Sequence, residues 1–275
     1  PRPFVKWAGG KRQLLPELEK NFPKKFDTYF EPFLGGGAVM FNLLSKRSNM
    51  KCHVSDLNSD LILAYVAIRD KVVELIESLE NHSKKYQKNP SQYYYRVRES
   101  EPISQIEKVS KLIFLNKTCF NGLYRVNSKG KFNVPLGRYT NPNIVNKDNL
   151  LAVSQTLQSS NIEFFCRDFE AVLHDIKKGD FVYFDPPYQP INNTANFTSY
   201  TSRNFTEHDL ERLANLAEML DSKGCKVLLS NSKSQIVEDS FSSSKWSIKE
   251  IHANRAINSN SKKRTGHAEI LIKNY

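Results

Sequence analysis

Thr28-Tyr29-Phe30-Glu31-Pro32-Phe33-Leu34-Gly35-Gly36-Gly37-Ala38 is the stretch whose reading decides the fold. Residues 28–33 are β-prone and run into Leu34-Gly35-Gly36-Gly37, after which a helix is predicted over 38–44. Glycines at such a turn permit positive φ and let backbone N–H groups approach a ligand closely. Residues 51–55 read as a second strand, with Asp56 at its end, nineteen positions after Gly37. Further strands are predicted at 162–166, 181–184, 227–230 and 270–273. Helical stretches lie between several of them. The clearest, 207–220, carries Leu210, Leu213, Leu216 and Leu220 on one stripe. Strands alternating with helices imply an α/β fold built on an open, largely parallel sheet.

The pattern changes between about 61 and 159. Residues 61–80, 92–98 and 103–115 read as helices, the last with Ile106, Val109 and Ile113 in register. In 123–139 the turn Asn127-Ser128-Lys129-Gly130 separates two β-prone runs, which predicts a hairpin. We read 61–159 as an inserted domain and 1–60 with 160–275 as the α/β domain. The insertion carries most of an acid-free stretch: from Lys108 to Lys147 there are eight Lys or Arg and no Asp or Glu. Arg255 to Arg264 adds four more. In a chain of 275 residues with net charge +11, charge gathered in this way is the footprint expected of a protein that binds a phosphate backbone.

Composition sets the remaining bounds. Hydrophobic content of 39% and charged content of 25% are those of an ordinary globular chain. No apolar run is long enough for a transmembrane span, so no membrane partner is expected. The N-terminus has no signal-peptide core; the chain starts at Pro1, and removal of a short leader is the expectation. Cys52, Cys119, Cys166 and Cys225 lie far apart, without a CxxC pair or a histidine at ligand spacing. They predict buried thiols, no metal site, no disulfide framework and a reducing cytoplasm.

The glycine turn and Asp56 together favour a nucleoside site, because a carboxylate at the end of the next strand can accept ribose hydroxyls. A dinucleotide fingerprint would need a glycine three positions after Gly37, where Met40 stands, and GxxxxGK[ST] is absent. A donor without phosphates, S-adenosylmethionine, suits the shorter turn. The strand at 181–184 then leads into Asp185-Pro186-Pro187-Tyr188. Two prolines fix φ and remove two N–H donors, leaving carbonyls free to face a ligand. The lone pair of an exocyclic amine on a planar base is delocalised. Accepting its hydrogens on Asp185 and a prolyl carbonyl would localise that pair for attack on a sulfonium methyl, chemistry that depends on positioning and electrostatics. Tyr188 offers a π face for an extruded base.

These strings resemble the Dam-type DNA adenine-N6 methyltransferases (D12 class, α group), including the members that recognise GATC. The resemblance runs nearly end to end. It is carried by Lys6-Trp7-Ala8-Gly9-Gly10-Lys11, Glu31-Pro32-Phe33 with the glycine turn, Asp56-Leu57-Asn58-Ser59-Asp60-Leu61, Asn121-Gly122-Leu123-Tyr124-Arg125, Phe132 through Tyr139, Asp185 through Tyr188, and Thr194-Ala195-Asn196-Phe197-Thr198. It implies a Rossmann-like methyltransferase sheet with helices on both faces and an inserted, mainly helical DNA-recognition domain with a β-hairpin. It implies that Trp7, Lys11, Phe33, Gly35, Gly37, Asp56, Asp168 and Asp185 line the donor site, Asp56 on the ribose, Trp7 and Lys11 near the methionine end. Asp168 is equally explained as a helix N-cap. Toward double-stranded DNA it implies Arg125 as a guanine reader, Leu123 on a thymine methyl, Lys6 on an outer guanine and Phe120 as a wedge beside a flipped adenine. Asn121, Arg98, Asn133, Pro135 and Arg138 are candidate further contacts, with plain surface charge the competing account of Arg98 and Arg138. Monomeric action, and pairing with a restriction endonuclease, belong to the same expectation. Two rival readings are a methyltransferase for another amine (cytosine N4, an RNA base or a protein glutamine) and a non-catalytic DNA-binding homologue. The basic loop Asn258 to Arg264 has no assigned role.

Overall fold

The computed structural model describes residues 1–7, 9–47, 49–127, 129–187, 205–251 and 269–275. In chain order its helices and strands are α1 (Leu15–Asn21), β1 (Thr28–Glu31), α2 (Ala38–Lys46), β2 (Lys51–Asp56), α3 (Ser59–Asp70), α4 (Val72–Lys88), α5 (Pro90–Glu99), α6 (Gln105–Thr118), α7 (Lys147–Ser159), β3 (Asn161–Cys166), β4 (Phe181–Phe184), α8 (Glu207–Ser222), β5 (Lys226–Ser232), α9 (Gln235–Ser240), β6 (Ser247–Ile251) and β7 (Glu269–Lys273). Short 3-10 turns occur at Lys11–Gln13, Phe120–Gly122 and Phe169–His174.

The seven described strands form one mixed sheet in the order β3-β2-β1-β4-β5-β7-β6. The first five are parallel, and β7 runs antiparallel to both β5 and β6. Side chains change face at each residue of a strand. Tyr29, Tyr183, Leu228 and Leu271 therefore enter one buried cluster, while Phe30, Val182, Phe184, Leu229, Ile270 and Ile272 enter another on the opposite face. Strands apolar along both edges fit a sheet covered on both sides, each fully buried side chain contributing about 1.5–3 kcal/mol. The sheet is α/β with helices on both faces, as expected.

Three expectations need correction. The helix predicted over 61–80 is two helices. At Lys71 the chain leaves helical geometry (φ −141°, ψ 41°), ending α3 and starting α4. The break lets α3, buried on most of its surface, pack against β2 and β3 as well as α6 and α7, while α4 turns toward α5 and α6. The hairpin at 123–139 carries no strand ladder. Its arms meet at the antiparallel bridge Val126–Phe132, and a second bridge, Cys119–Leu136, ties it to the end of α6. Hydrogen bonds from Asn127 N–H to Lys131 O (2.9 Å) and from Asn133 N–H to Arg125 O (3.0 Å) support the first. Cys166 is exposed, whereas Cys52, Cys119 and Cys225 are the buried thiols expected. The strand β6 and the helices α1, α7 and α9 were not anticipated. β6 exposes Ser247 through Glu250 and shows no apolar run, as an edge strand guarded by charge need not.

Inside the helical segment His82 sits in a polar network. Its Nδ1 pairs with the Tyr93 hydroxyl at 2.8 Å and its Nε2 with Ser110 Oγ at 3.3 Å, while Ser78 Oγ donates to Ser110 Oγ at 2.8 Å. Burial, with Lys85 nearby, pushes the His82 imidazole down from 6.5 to about 4. The unfolded chain then binds more protons between those values, so this contribution is complete above 6.5 and is lost as pH falls through 6.5 toward 4. Up to about 3 kcal/mol follows from the size of the shift. Urea unfolding at pH about 7.5 and about 5 should show that pH-dependent loss in the native chain, and His82→Gln should remove most of it. Equal pH dependence in both proteins would count against the network.

Candidate active site

Strands β1 and β4 are neighbours, but the chain leaves β1 for β2 on one side and β4 for β5 on the other. Such a switch point opens a crevice at the carboxyl ends of the strands, where open α/β sheets bind ligands. The glycine turn leaves β1 there and Asp185-Pro186-Pro187 leaves β4. The two motifs, more than a hundred residues apart in sequence, thus meet at one crevice.

The turn is held from the next strand. Leu34 N–H donates to Ser55 O at 2.9 Å and Gly35 N–H to Asp56 Oδ2 at 2.9 Å. Asp56 Oδ1 accepts Asn58 N–H at 2.9 Å, and Asn58 Oδ1 in turn caps α3 by accepting Leu61 N–H at 3.0 Å. Burial raises the Asp56 carboxyl above the ordinary 3.8, opposed by those backbone N–H groups. Gly37, at φ +68°, closes the turn and starts α2. Tyr65 in α3 donates its hydroxyl to Gly35 O at 3.0 Å, and the Trp7 ring lies so close to Gly35 that a Cβ there would stand 3.0 Å from Trp7 Cδ1. Phe33 stacks on Phe169 at 5.3 Å. Asp168 caps the turn Phe169–His174 through Glu170 N–H (3.0 Å) and also pairs with Arg212 at 2.8 Å. The capping account of Asp168 thus holds, with an ion pair added.

Across the crevice, Asp185 is 18% exposed and its Oδ1 lies 2.7 Å from Lys11 Nζ, a lysine only 4% exposed. Lys11 Nζ also donates to Gly9 O at 2.8 Å. From β5, Ser230 Oγ donates to the same Oδ1 at 3.1 Å, and the Tyr183 hydroxyl lies 2.8 Å behind Ser230. Burial raises the Asp185 carboxyl, while the Lys11 charge and hydrogen bond, and then Ser230, pull it back. Pro186 is buried and Pro187 exposed; Tyr188 lies outside the described residues, as do residues 194–198 and the basic loop 255–264. Beneath the site, Glu31 is 2% exposed and accepts the Tyr29 hydroxyl at 2.8 Å, and burial holds its carboxyl well above the usual range. Ser230, Tyr183, Tyr65 and Arg212 escaped the sequence reading. Ser230 left one signal there: it opens the polar exit Ser230-Asn231-Ser232 of an apolar strand.

The residues expected to face DNA cluster around the 3-10 turn and the hairpin. Phe120 is 47% exposed, although its N–H is fixed to Pro135 O at 2.9 Å. Asn121 is exposed and takes a left-handed φ of +55°. Leu123 is partly buried, and Tyr124 beside it packs on Trp7 with centroids 5.1 Å apart. Arg125 Nε donates to Asn133 Oδ1 at 2.7 Å, so Asn133 holds the arginine. Lys6 is exposed and its Nζ lies 3.3 Å from the Tyr139 hydroxyl. Arg138 is exposed, and Arg98 pairs with its neighbour Glu99 at 3.0 Å, as a plain surface charge would.

A glycine turn braced by the Asp56 carboxylate at the next strand end, facing an Asp-Pro-Pro exit across the switch point, is an arrangement suited to a group-transfer enzyme. Residues 7–257 match the model of the D12 class N6 adenine-specific DNA methyltransferases, and the chain belongs to that family. It is similar to the type II methyltransferase M.MjaIII of Methanocaldococcus jannaschii, 43% identical over 100% of this chain and 99% of the relative. M1.LlaDCHI, a type II methyltransferase of Lactococcus lactis subsp. cremoris, is 42% identical over 100% and 95%. The DNA adenine methylase of Escherichia coli K12 is 32% identical over 98% and 94%. The chain is a DNA adenine methyltransferase, and the family carries a methyl donor as cofactor. Among the described residues no helix is long and apolar enough to cross a membrane.

Proposed function

We propose that the enzyme transfers a methyl group from S-adenosylmethionine to N6 of a flipped adenine in duplex DNA, within GATC. The convergence of Lys11 and Ser230 on one oxygen of Asp185, across the switch point from the Asp56-braced glycine turn, carries this reading. The residues present fit the donor. A Cβ on Gly35 would press on Trp7, so the glycine lets the indole lie against the turn, and Asp56, at the end of the next strand, would accept ribose hydroxyls. Trp7, Lys11, Phe33 and Asp168 would complete its surroundings. When bound, the donor supplies an electrophilic sulfonium methyl.

The protein's own part is positional. Lys11 and Ser230 fix Oδ1, which opposes the upward push of burial on the Asp185 carboxyl and orients the carboxylate. Asp185 and a prolyl carbonyl accept the two hydrogens of the adenine amine, drawing the nitrogen toward tetrahedral geometry. Tyr188 stacks the extruded base, at a flipping cost of a few kcal/mol.

Residues 61–159 serve as the recognition segment. The hairpin enters the major groove with Arg125, aligned by Asn133, on a guanine and Leu123 on a thymine methyl. Lys6 contacts the outer guanine, Phe120 fills the gap left by the adenine, Asn121, Arg98, Asn133 and Arg138 contact the backbone, and Pro135 belongs to the same DNA-facing set. Action as a cytoplasmic monomer paired with a restriction endonuclease completes the proposal, the pairing supported by the type II relatives.

Plasmid DNA treated with enzyme and donor should resist a nuclease blocked by adenine methylation at GATC. Cleavage as in untreated DNA would reject the site, and absence of transfer without S-adenosylmethionine is the donor's control. Arg125→Ala should cost about 1–3 kcal/mol in discrimination at one base pair. Equal losses on every sequence would instead make Arg125 a phosphate contact.

A further inference from the structure

Asn116 lies in α6 and is 1% exposed. A buried asparagine needs partners for both ends of its amide. This one finds them all on backbone from two other parts of the chain. Its Oδ1 accepts Lys6 N–H at 2.8 Å, and its Nδ2 donates to Lys6 O at 2.8 Å and to Gly122 O at 3.0 Å. The amide thus clamps both backbone groups of Lys6 and, at the same time, the end of the turn Phe120–Gly122.

The clamp is tight. Asn121 and Gly122 both take left-handed φ, +55° and +66°, which throws Phe120 outward. Lys6 lies over Gly122 so closely that a Cβ there would stand 2.4 Å from Lys6 Cδ and 3.0 Å from Lys6 Cβ. At its far end the lysine amine is steered by the Tyr139 hydroxyl and ring. The turn is fastened from the other side by Phe120 N–H on Pro135 O and Gly137 N–H on Thr118 O.

We propose that Asn116 is a specificity-determining positioning residue, setting the separation between the Lys6 amine and the Phe120 ring so that reading of an outer base pair and extrusion of the adenine occur in one register. The proposal rests on the roles given above to Lys6 and Phe120. No part of Asn116 touches DNA; it acts through the two groups it holds. A duplex offers base pairs at fixed spacing, so a reader and a wedge able to drift apart would lose the energetic difference between matched and mismatched outer pairs.

The test is methyl transfer by the full chain to a preferred duplex and to duplexes altered one base pair at a time, with S-adenosylmethionine affinity and thermal stability measured alongside. Lys6→Met identifies the pair that the lysine reads. Asn116→Ala is expected to relax discrimination at that same pair about tenfold, leave donor affinity unchanged, and add nothing when combined with Lys6→Met. Thr118→Val removes another buried hydrogen bond of α6, from Thr118 Oγ1 to Phe114 O, and should lower stability without altering discrimination. Should Asn116→Ala not fold, Gly122→Ala displaces Lys6 from the opposite side and must relax the same pair. Unchanged discrimination in the variant that folds, or an equal loss on every duplex, overturns the proposal. If Lys6→Met relaxes no position, the Lys6 assignment fails; the role of Asn116 then stands only if Asn116→Ala still alters a position through the Phe120 turn.

Discussion

Asp185→Ala should lower the rate of methyl transfer by about a thousandfold, with little change in affinity for DNA. The carboxylate is asked to act only as the amine loses its planarity, so its removal falls on kcat. The same substitution takes the carboxylate from Lys11, which is 4% exposed and 2.7 Å from the lost oxygen. Removing one partner of a buried pair costs about 3–5 kcal/mol, so the melting temperature should fall as well. Asp185→Asn separates the two effects. It keeps the volume and an oxygen for Lys11 and Ser230, and should recover most of the stability while staying nearly inactive, since an amide cannot supply the anionic acceptor. A pH profile adds a third readout. Burial raises the carboxyl above 3.8, and Lys11 and Ser230 oppose it, so activity should decline on the acid side with an inflection above 3.8. Lys11→Met removes the opposition and should move that inflection upward. Steady-state kinetics of the alanine variant within tenfold of wild type would remove Asp185 from the centre.

Gly37→Ala should be the most damaging single-methyl change in the donor site. The residue stands at φ +68°, and an added Cβ would meet Tyr65 Oη at 2.6 Å. Tyr65 is fully buried and its hydroxyl holds Gly35 O at 3.0 Å, so moving the ring breaks the bond that shapes the turn. Left-handed strain and overpacking together amount to about 2–5 kcal/mol. We expect a melting temperature lower by about 5–10 °C and donor affinity reduced at least about tenfold, because the turn held by Tyr65 and Asp56 loses its shape. Gly130→Ala is the contrast: it also has positive φ, yet nothing lies within 4 Å of its Cβ position, so steric crowding is absent. Calorimetry and donor titration on both variants decide the matter. Similar modest losses in the two would show that conformational strain alone, without the Tyr65 contact, governs Gly37.

What was legible in the sequence was whatever local pattern dictates. The central strands announced themselves through β-prone apolar runs, and the glycine turn and the Asp-Pro-Pro exit through residues that only special backbone tolerates. What remained hidden depended on partners distant in sequence. The break at Lys71 carries neither proline nor glycine; it exists because α3 and α4 bury their faces against different neighbours. β6 borrows its order from β7. Ser230 has a role only because β5 lies beside β4, and Asn116 only because Lys6 folds back 110 residues to meet it. Asp168 had two accounts in the sequence, and the fold supplies the partners of one of them.

The helix α3 packs on β2 and β3 with one part of its surface and on α6 and α7 with another. One continuous apolar cluster accordingly runs from Phe4 through Tyr94 and Phe114 to Leu271. A protein engineer testing the proposed recognition role by grafting residues 61–159 from a relative would also remove α3 from β2 and β3. A chimera joined after Lys71, where α3 has ended, keeps α3 on β2 and β3.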